Sequence, residues 1–166
     1  MQMIIEDILI RITLACVVGG LIGYERKISG KPAGITTHLV VCLGATVVTM
    51  IQKQIDMDIL KMAKENPEYI NILKTDVSRI PAQIVSGVGF LGGGVILHSK
   101  TSISGVTTAA TIWITACLGI GIGFGYYMIV IPTTLILILL LNILKRHGVF
   151  SDSDELLEDI RKIIDP

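Results

Sequence analysis

Acidic side chains are missing from the middle of this chain, where no aspartate or glutamate occurs between Val77 and Ser151. Over the whole chain, 14 Lys and Arg residues balance 14 Asp and Glu residues, so the formal net charge is zero. A nucleic-acid partner is therefore not expected, because no basic excess is available to neutralise phosphates. Only 17% of the residues are charged and 51% are hydrophobic, which is typical of a membrane protein.

Cysteine and histidine are too scattered to form a familiar catalytic or metal centre. The three cysteines lie in apolar runs without a CxxC spacing, so we interpret them as core or lipid-facing thiols. The three histidines have no nearby carboxylate at metal-ligand spacing. These residues are Cys16, Cys42, Cys117, His38, His98 and His147. We expect no enzymatic activity and no resident cofactor.

One glycine pattern imitates a nucleotide-binding motif. Gly87, Gly89 and Gly92 spell GxGxxG, which binds dinucleotides when it joins a strand to a helix. Here the pattern lies inside an apolar run of membrane length, and the acid that would hold a ribose is absent. We therefore assign these glycines to helix packing.

Five apolar runs predict an all-α polytopic bundle of about five transmembrane helices within one domain, residues 1–148. The run over residues 80–97 would span about 27 Å, close to the thickness of the hydrocarbon layer. We predict that it is the buried central helix, with Arg79, Gln83, Ser86, Phe90 and Gly94 on one face. The predicted spans are residues 8–24, 34–51, 80–97, 105–123 and 127–144.

The segments between and after the spans carry the remaining charge. Residues 52–75 are predicted to form a polar connection with a short surface helix over residues 56–66. Residues 149–166 are predicted to form a short amphipathic cytoplasmic helix. The distribution of Lys and Arg favours an N-terminus outside the cell and a C-terminus in the cytoplasm. Arg11 follows Asp7 by one helical turn, a spacing that allows an ion pair.

Small residues recur at the spacing of helix interfaces. Eight glycines are predicted to pack against other helices: Gly19, Gly23, Gly87, Gly89, Gly92, Gly93, Gly119 and Gly123. Thr107, Thr111, Thr115, Gly119 and Gly123 follow one another at four-residue intervals. This stripe indicates a helix interface or a narrow polar path.

Ten polar residues at or near the ends of the spans form the candidate functional set: Glu25, Arg26, Thr37, His38, Asp76, Arg79, Gln83, Ser86, Thr107 and Thr108. In the structural interpretation, these residues cap helices, anchor them at the membrane interface and form hydrogen bonds between helices. Their functional interpretation rests on the cost of placing ionisable groups at membrane depth. For His38, both a structural and a functional role are open. Asp76 is the candidate ligand for a metal ion.

Four blocks of this sequence resemble the MgtC/SapB family of bacterial inner-membrane proteins. They are GGLIGYER from Gly19, KPAGITTH from Lys31, SRIPAQIVSGVGFLGGG from Ser78 and GVTTAATIWITA from Gly105. The resemblance implies a polytopic inner-membrane protein linked to growth in low magnesium, to acid or envelope stress and, in pathogens, to virulence. It also implies that some members restrain the proton-translocating ATP synthase, while many are labelled magnesium transporters.

Three features depart from the family pattern. Thr36 stands where the family usually has arginine, Val77 replaces a common proline, and the connection over residues 52–75 is longer than usual. The tail is too short for the cytoplasmic domain that many members carry. Regulation by such a domain is therefore expected to be absent or to come from another chain.

These observations leave three hypotheses. The leading one is a regulator of adaptation to low magnesium or acid that acts through another membrane protein, such as the ATP synthase. The alternative is a magnesium transporter in which Asp76, Gln83, Ser86 and the threonine stripe line a path. The third is a structural scaffold. The bilayer is an expected partner in each, and a homo-oligomer is compatible with all three.

Overall fold

A computed structural model describes residues 3–66, 68, 76, 78–98 and 103–146. Within these residues the predicted all-α class is confirmed, with five helices and one short hairpin. The elements are α1 (Ile5–Ile28), α2 (Ile35–Glu65), α3 (Arg79–Gly94), β1 (Leu97–His98), β2 (Ile103–Ser104), α4 (Val106–Phe124) and α5 (Tyr127–Arg146). The predicted helix over residues 149–166, residues 67 and 69–75 of the predicted connection, and His147 lie outside the described residues.

Two of the described helices, α2 and α4, are long and apolar enough to cross a membrane, judged by length and composition alone. Within α5, residues Tyr127–Ile143 form a shorter apolar stretch. Large apolar side chains cover the outside of this helix, and Met128 is 91% exposed. Such a surface is suited to lipid rather than to water.

The core forms where α2 lies between α1 and α4. Gly23 of α1 faces Ile35 and Gly19 faces Leu39, so α1 and α2 run antiparallel at close approach. Gly119 of α4 faces Cys42. Helix backbones can approach this closely because glycine has no Cβ atom to keep them apart.

The second helix is longer than predicted. Its 31 residues would extend about 46 Å, whereas the sequence predicted a span ending at residue 51 and then a separate surface helix. Residues 52–66 contain neither glycine nor proline, so nothing in the chain interrupts the helix. Side-chain pairs one turn apart support the extension, including Gln54 to Asp58 at 2.9 Å and Lys61 to Glu65 at 3.8 Å.

The prediction that α3 is the buried central helix is wrong for the single chain. Its only buried residues are Val88 and Gly92, and Phe90 is 86% exposed. The reason is steric: the glycines of α4 bring that helix directly against α2, which leaves no room for another helix at the centre. Helix α3 therefore lies at the edge of the core, to which it contributes Val88, and packs against α4, where Gly92 faces Ala109.

A hairpin reverses the chain between α3 and α4. Leu97 pairs with Ser104 and His98 with Ile103 in antiparallel register. Gly105 then adopts a φ of +85°, and a Cβ atom at this position would collide with the carbonyl oxygen of Val95. Glycine is therefore required where the hairpin enters α4.

Candidate functional site

A buried ion pair lies at the end of α1. Arg26 Nε donates a hydrogen bond to Glu25 Oε2 at 2.5 Å, and Arg26 Nη2 donates to Glu25 Oε1 at 2.9 Å. Ser29 Oγ also donates to Glu25 Oε1 at 2.7 Å. Glu25 is only 5% exposed and Arg26 only 4%. Each charge is thus neutralised by its neighbour, which is the condition for keeping charged groups in a protein interior.

His38 lies close to this ion pair, at the beginning of α2. Its Nδ1 atom is 2.9 Å from the carbonyl oxygen of Gly34, and its Nε2 atom is 3.2 Å from Thr111 Oγ1 on α4. The ring is completely buried. Glu25 and Arg26 are near enough for their charges to act on it. His38 therefore links the start of α2 to α4, close to the buried ion pair of α1.

The network has two proton arrangements. A carbonyl oxygen can only accept, so Nδ1 of His38 donates to Gly34. Thr111 has a single hydroxyl proton, which it can donate either to His38 Nε2 or to the carbonyl oxygen of Thr108, 2.8 Å away. The first arrangement suits a neutral imidazole. In the second, the bond between His38 and Thr111 is kept only if Nε2 carries a proton, so that a cationic imidazolium donates to Thr111.

We define the His38 network as Glu25, Arg26, His38, Thr108 and Thr111. Four of these residues belong to the predicted functional set, and the structure brings them together at one end of the core. Thr108 is 1% exposed. The sequence did not place Thr111 in the functional set, although its position in the four-residue stripe with Thr107 and Thr115 was a usable signal.

The other six predicted site residues lie elsewhere. Thr37 is exposed and Thr107 is half-buried, while the four residues on or before α3 are all exposed: Asp76, Arg79, Gln83 and Ser86. The α3 residues thus do not join the threonine stripe, which faces α2.

Asp76 is held in a local turn by hydrogen bonds from Ser78. Its Oδ1 atom accepts hydrogen bonds from the hydroxyl and the backbone N–H of Ser78, at 2.6 and 3.1 Å. These bonds, that from the hydroxyl first, lower the pKa of the Asp76 carboxyl. Within the part of the chain that the structure describes, no three His, Cys, Asp or Glu side chains are grouped to hold a metal ion.

A second cluster of charged side chains lies at the opposite end of the core. Arg11 donates to the carbonyl oxygen of Gly123 and, at 2.7 Å, to Asp7 Oδ2, which confirms the predicted Asp7–Arg11 pair. Lys53 Nζ donates to the carbonyl oxygen of Phe124 at 3.1 Å. Two cations therefore satisfy carbonyl groups at the C-terminus of α4, where the helix dipole is negative.

Neither the hydrogen bond from Arg11 to Gly123 nor that from Lys53 to Phe124 was predicted from the sequence. A usable signal was present, because Arg11 interrupts an apolar run and ionisable residues in such runs need partners. The partner itself was hidden, since it is a backbone carbonyl far along the chain.

The predicted packing glycines fall into two groups. Gly19, Gly23, Gly119 and Gly123 lie where helix backbones meet, and Gly92 lies against Ala109. The remaining three, Gly87, Gly89 and Gly93, have no atom of the described chain within 4 Å of a Cβ built on them. They form an open surface on α3.

Comparison with known proteins places this architecture in context. A family model described as the MgtC family matches residues 12–149. "Putative magnesium transporter YhiD" of Escherichia coli K12 is 40% identical over 114 residues, which cover 69% of this chain and 49% of that protein. Protein SapB of Bacillus subtilis is 41% identical over 115 residues, covering 69% and 46%.

Protein MgtC of Brucella abortus (strain 2308) is 34% identical over 106 residues, covering 64% of this chain and 38% of that protein. The chain thus spans less than half the length of these three relatives. No solved structure matches it significantly.

Proposed function

Because this chain is a membrane protein that belongs to the MgtC family, we propose that it regulates adaptation to low magnesium or acid by binding another membrane protein, such as the ATP synthase. In this proposal it is a multi-pass protein of the bacterial inner membrane, with its N-terminus outside and its C-terminus in the cytoplasm. It performs no chemistry of its own. Stress adaptation, and virulence in a pathogen, follow from the activity of its partner.

The observation that carries the proposal is the open face of α3. We define the α3 glycine face as Gly89 and Gly93, which lie one turn apart on the same side of the helix, and the adjacent Phe90. The glycines meet nothing in the described chain, and Phe90 projects from the helix beside them. In a bilayer, helices associate through small residues that allow close backbone contact, often around a larger side chain that fills a gap. A transmembrane helix of a partner, or of a second copy, fits this face.

The His38 network supports the link to acid. A proton on Nε2 changes which hydrogen bond Thr111 makes, and it places a positive charge beside Arg26. The network is thus a candidate element through which acidity alters the start of α4.

The test is co-reconstitution with the purified ATP synthase. Proton pumping driven by ATP would be measured in proteoliposomes that contain the enzyme alone, the enzyme with this protein, or the enzyme with a variant. We expect the wild type to slow pumping and Gly89→Leu to abolish the effect. Gly44→Leu is the matched control, because Gly44 is likewise an exposed helical glycine with open space around it, but on α2.

Equal inhibition by Gly89→Leu and the wild type would contradict the role of the α3 glycine face. No inhibition by the wild type would contradict the ATP synthase as the partner. Phe90, replaced by a photoreactive residue in cells starved of magnesium, would then be used to identify the protein that contacts this face.

Magnesium transport is the second candidate, and it rests on the name of the relative YhiD. It would be measured as Mg²⁺ uptake into vesicles that contain only this protein and an entrapped indicator dye, compared with empty vesicles. Saturable uptake that Asp76→Asn removes would favour transport over regulation. Uptake equal to that of empty vesicles, with helical protein present, would favour the regulator.

A further inference from the structure

A cavity of about 580 Å³ opens where α2, the start of α3 and the turn between α4 and α5 meet. Most of its wall is apolar, but two charged side chains from neighbouring turns of α2 line it together. The lining residues are Lys53, Asp56, Met57, Leu60, Ser78, Pro81, Phe124 and Tyr126. The cavity is distinct from the His38 network, which lies at the other end of the core.

The position of the cavity along the bundle matches the membrane surface. From Ile35 to Ile51, α2 contains no Asp, Glu, Lys or Arg, and Lys53 is the first such residue. Helix α4 ends at Phe124, and α3 begins beside the cavity. Charged residues and the ends of apolar helices mark the depth at which lipid headgroups lie.

Both charged side chains are held in place and still have bonding capacity. Lys53 Nζ uses one donor on the carbonyl oxygen of Phe124 at 3.1 Å, and an ammonium group has three donors. Asp56 Oδ1 accepts from Gln52 Nε2 at 2.8 Å, and Gln52 is itself only 8% exposed. The second carboxylate oxygen of Asp56 can accept a further hydrogen bond.

We propose that this cavity binds the headgroup of a phospholipid with a primary ammonium group, as in phosphatidylethanolamine. Lys53 donates to the phosphate, and Asp56 accepts from the ammonium. Residues three apart on a helix have Cβ atoms about 5–6 Å apart, and the two-carbon link of ethanolamine likewise keeps its two charges close together. Apolar residues such as Pro81 and Phe124 contact the glycerol and the first methylene groups.

The chemistry of the pair separates this lipid from others in a bilayer. A choline headgroup has a quaternary ammonium without N–H donors, so it cannot make the charge-assisted hydrogen bond to Asp56. Phosphatidylglycerol has no cation at all, and its only charge is repelled by Asp56. A regulator and a transporter could each contain this site, so the proposal stands apart from the function proposed above.

The test uses the full chain in detergent and native mass spectrometry. Phosphatidylethanolamine, phosphatidylcholine and phosphatidylglycerol with identical acyl chains would be titrated separately. We expect the wild type to bind phosphatidylethanolamine about ten-fold more tightly than either other lipid. Asp56→Asn should bring phosphatidylethanolamine and phosphatidylcholine to within about two-fold of each other, whereas Lys53→Met should weaken both.

Asp58→Asn is the matched control. Asp58 is an exposed acid on the same helix that accepts from Gln54 at 2.9 Å, as Asp56 does from Gln52, but it is not among the residues that line the cavity. This variant should keep the wild-type preference. Equal binding of the three lipids by the wild type, tighter binding of phosphatidylglycerol, or an equal effect of the two aspartate substitutions would each overturn the proposal. The wild-type measurement decides it even if a variant fails to fold.

Discussion

A single added methyl group at Gly23 should loosen the contact between α1 and α2. A Cβ atom at this position would lie 2.5 Å from Ile35 Cα and 2.8 Å from the carbonyl oxygen of Gly34. Both atoms belong to backbone, which cannot rotate away as a flexible side chain would. Overpacking of this kind costs about 1–3 kcal/mol, and alanine recovers up to about 1 kcal/mol through its higher helix propensity. With the full propensity gain subtracted, the expected net loss for Gly23→Ala is therefore up to about 2 kcal/mol.

The matched variant is Gly20→Ala, one turn away on the same helix. A Cβ atom there meets nothing within 4 Å, so only the propensity gain applies. The assay is thermal unfolding of both variants in one detergent, followed by circular dichroism. At about 2–4 °C for each kcal/mol in a chain of this size, Gly23→Ala should melt up to about 8 °C below the wild type and Gly20→Ala at or above it. Equal melting temperatures for the two variants would refute the packing argument.

The two buried charged groups give the remaining predictions. Arg26→Met removes two hydrogen bonds and the neighbouring positive charge from the buried Glu25 carboxylate and should cost about 3–5 kcal/mol. Adding Glu25→Gln should restore most of this loss. Denaturant unfolding of the wild type and the two variants measures it, and a double variant no more stable than the single one would contradict the pairing. Arg11→Met leaves the carbonyl oxygen of Gly123 without its donor and should cost about 1–3 kcal/mol. Asp7→Asn should cost less in the same assay, because its side chain is 38% exposed.

Local features of this fold could be predicted from the sequence because they depend on neighbours along the chain. The Asp7–Arg11 pair follows from a four-residue spacing, and the all-α class follows from apolar runs of membrane length. The stripe of threonine and glycine residues on α4 was also predicted from its four-residue spacing. The sequence could not decide whether this stripe forms a helix interface or lines a polar path. The structure places Gly119 of that stripe against Cys42 of α2, at an interface.

The position of α3 could not be predicted, because composition does not say which neighbour a helix contacts. Five glycines within residues 87–94 indicate that another helix can approach, but they do not specify whether that helix belongs to the same chain. Gly119 and Gly123 also allow another helix to approach, but the helix that approaches them is α2 of the same chain. Once α2 and α4 were in direct contact, no site for α3 remained between them.

The arrangement of α4 explains how the two halves of the proposed function could be linked. Its first turns contact both sides of the molecule: Thr111 faces His38 on α2, and Ala109 faces Gly92 on α3. A change in the hydrogen bond between Thr111 and Thr108 therefore occurs within one turn of the α3 contact. Helices α1, α2 and α4 are joined by buried charges and backbone contacts, whereas α3 buries only Val88 and Gly92. Because Ala109 lies between Thr108 and Thr111 along α4 and contacts Gly92, a displacement at the start of α4 would be passed directly to α3, which carries the α3 glycine face.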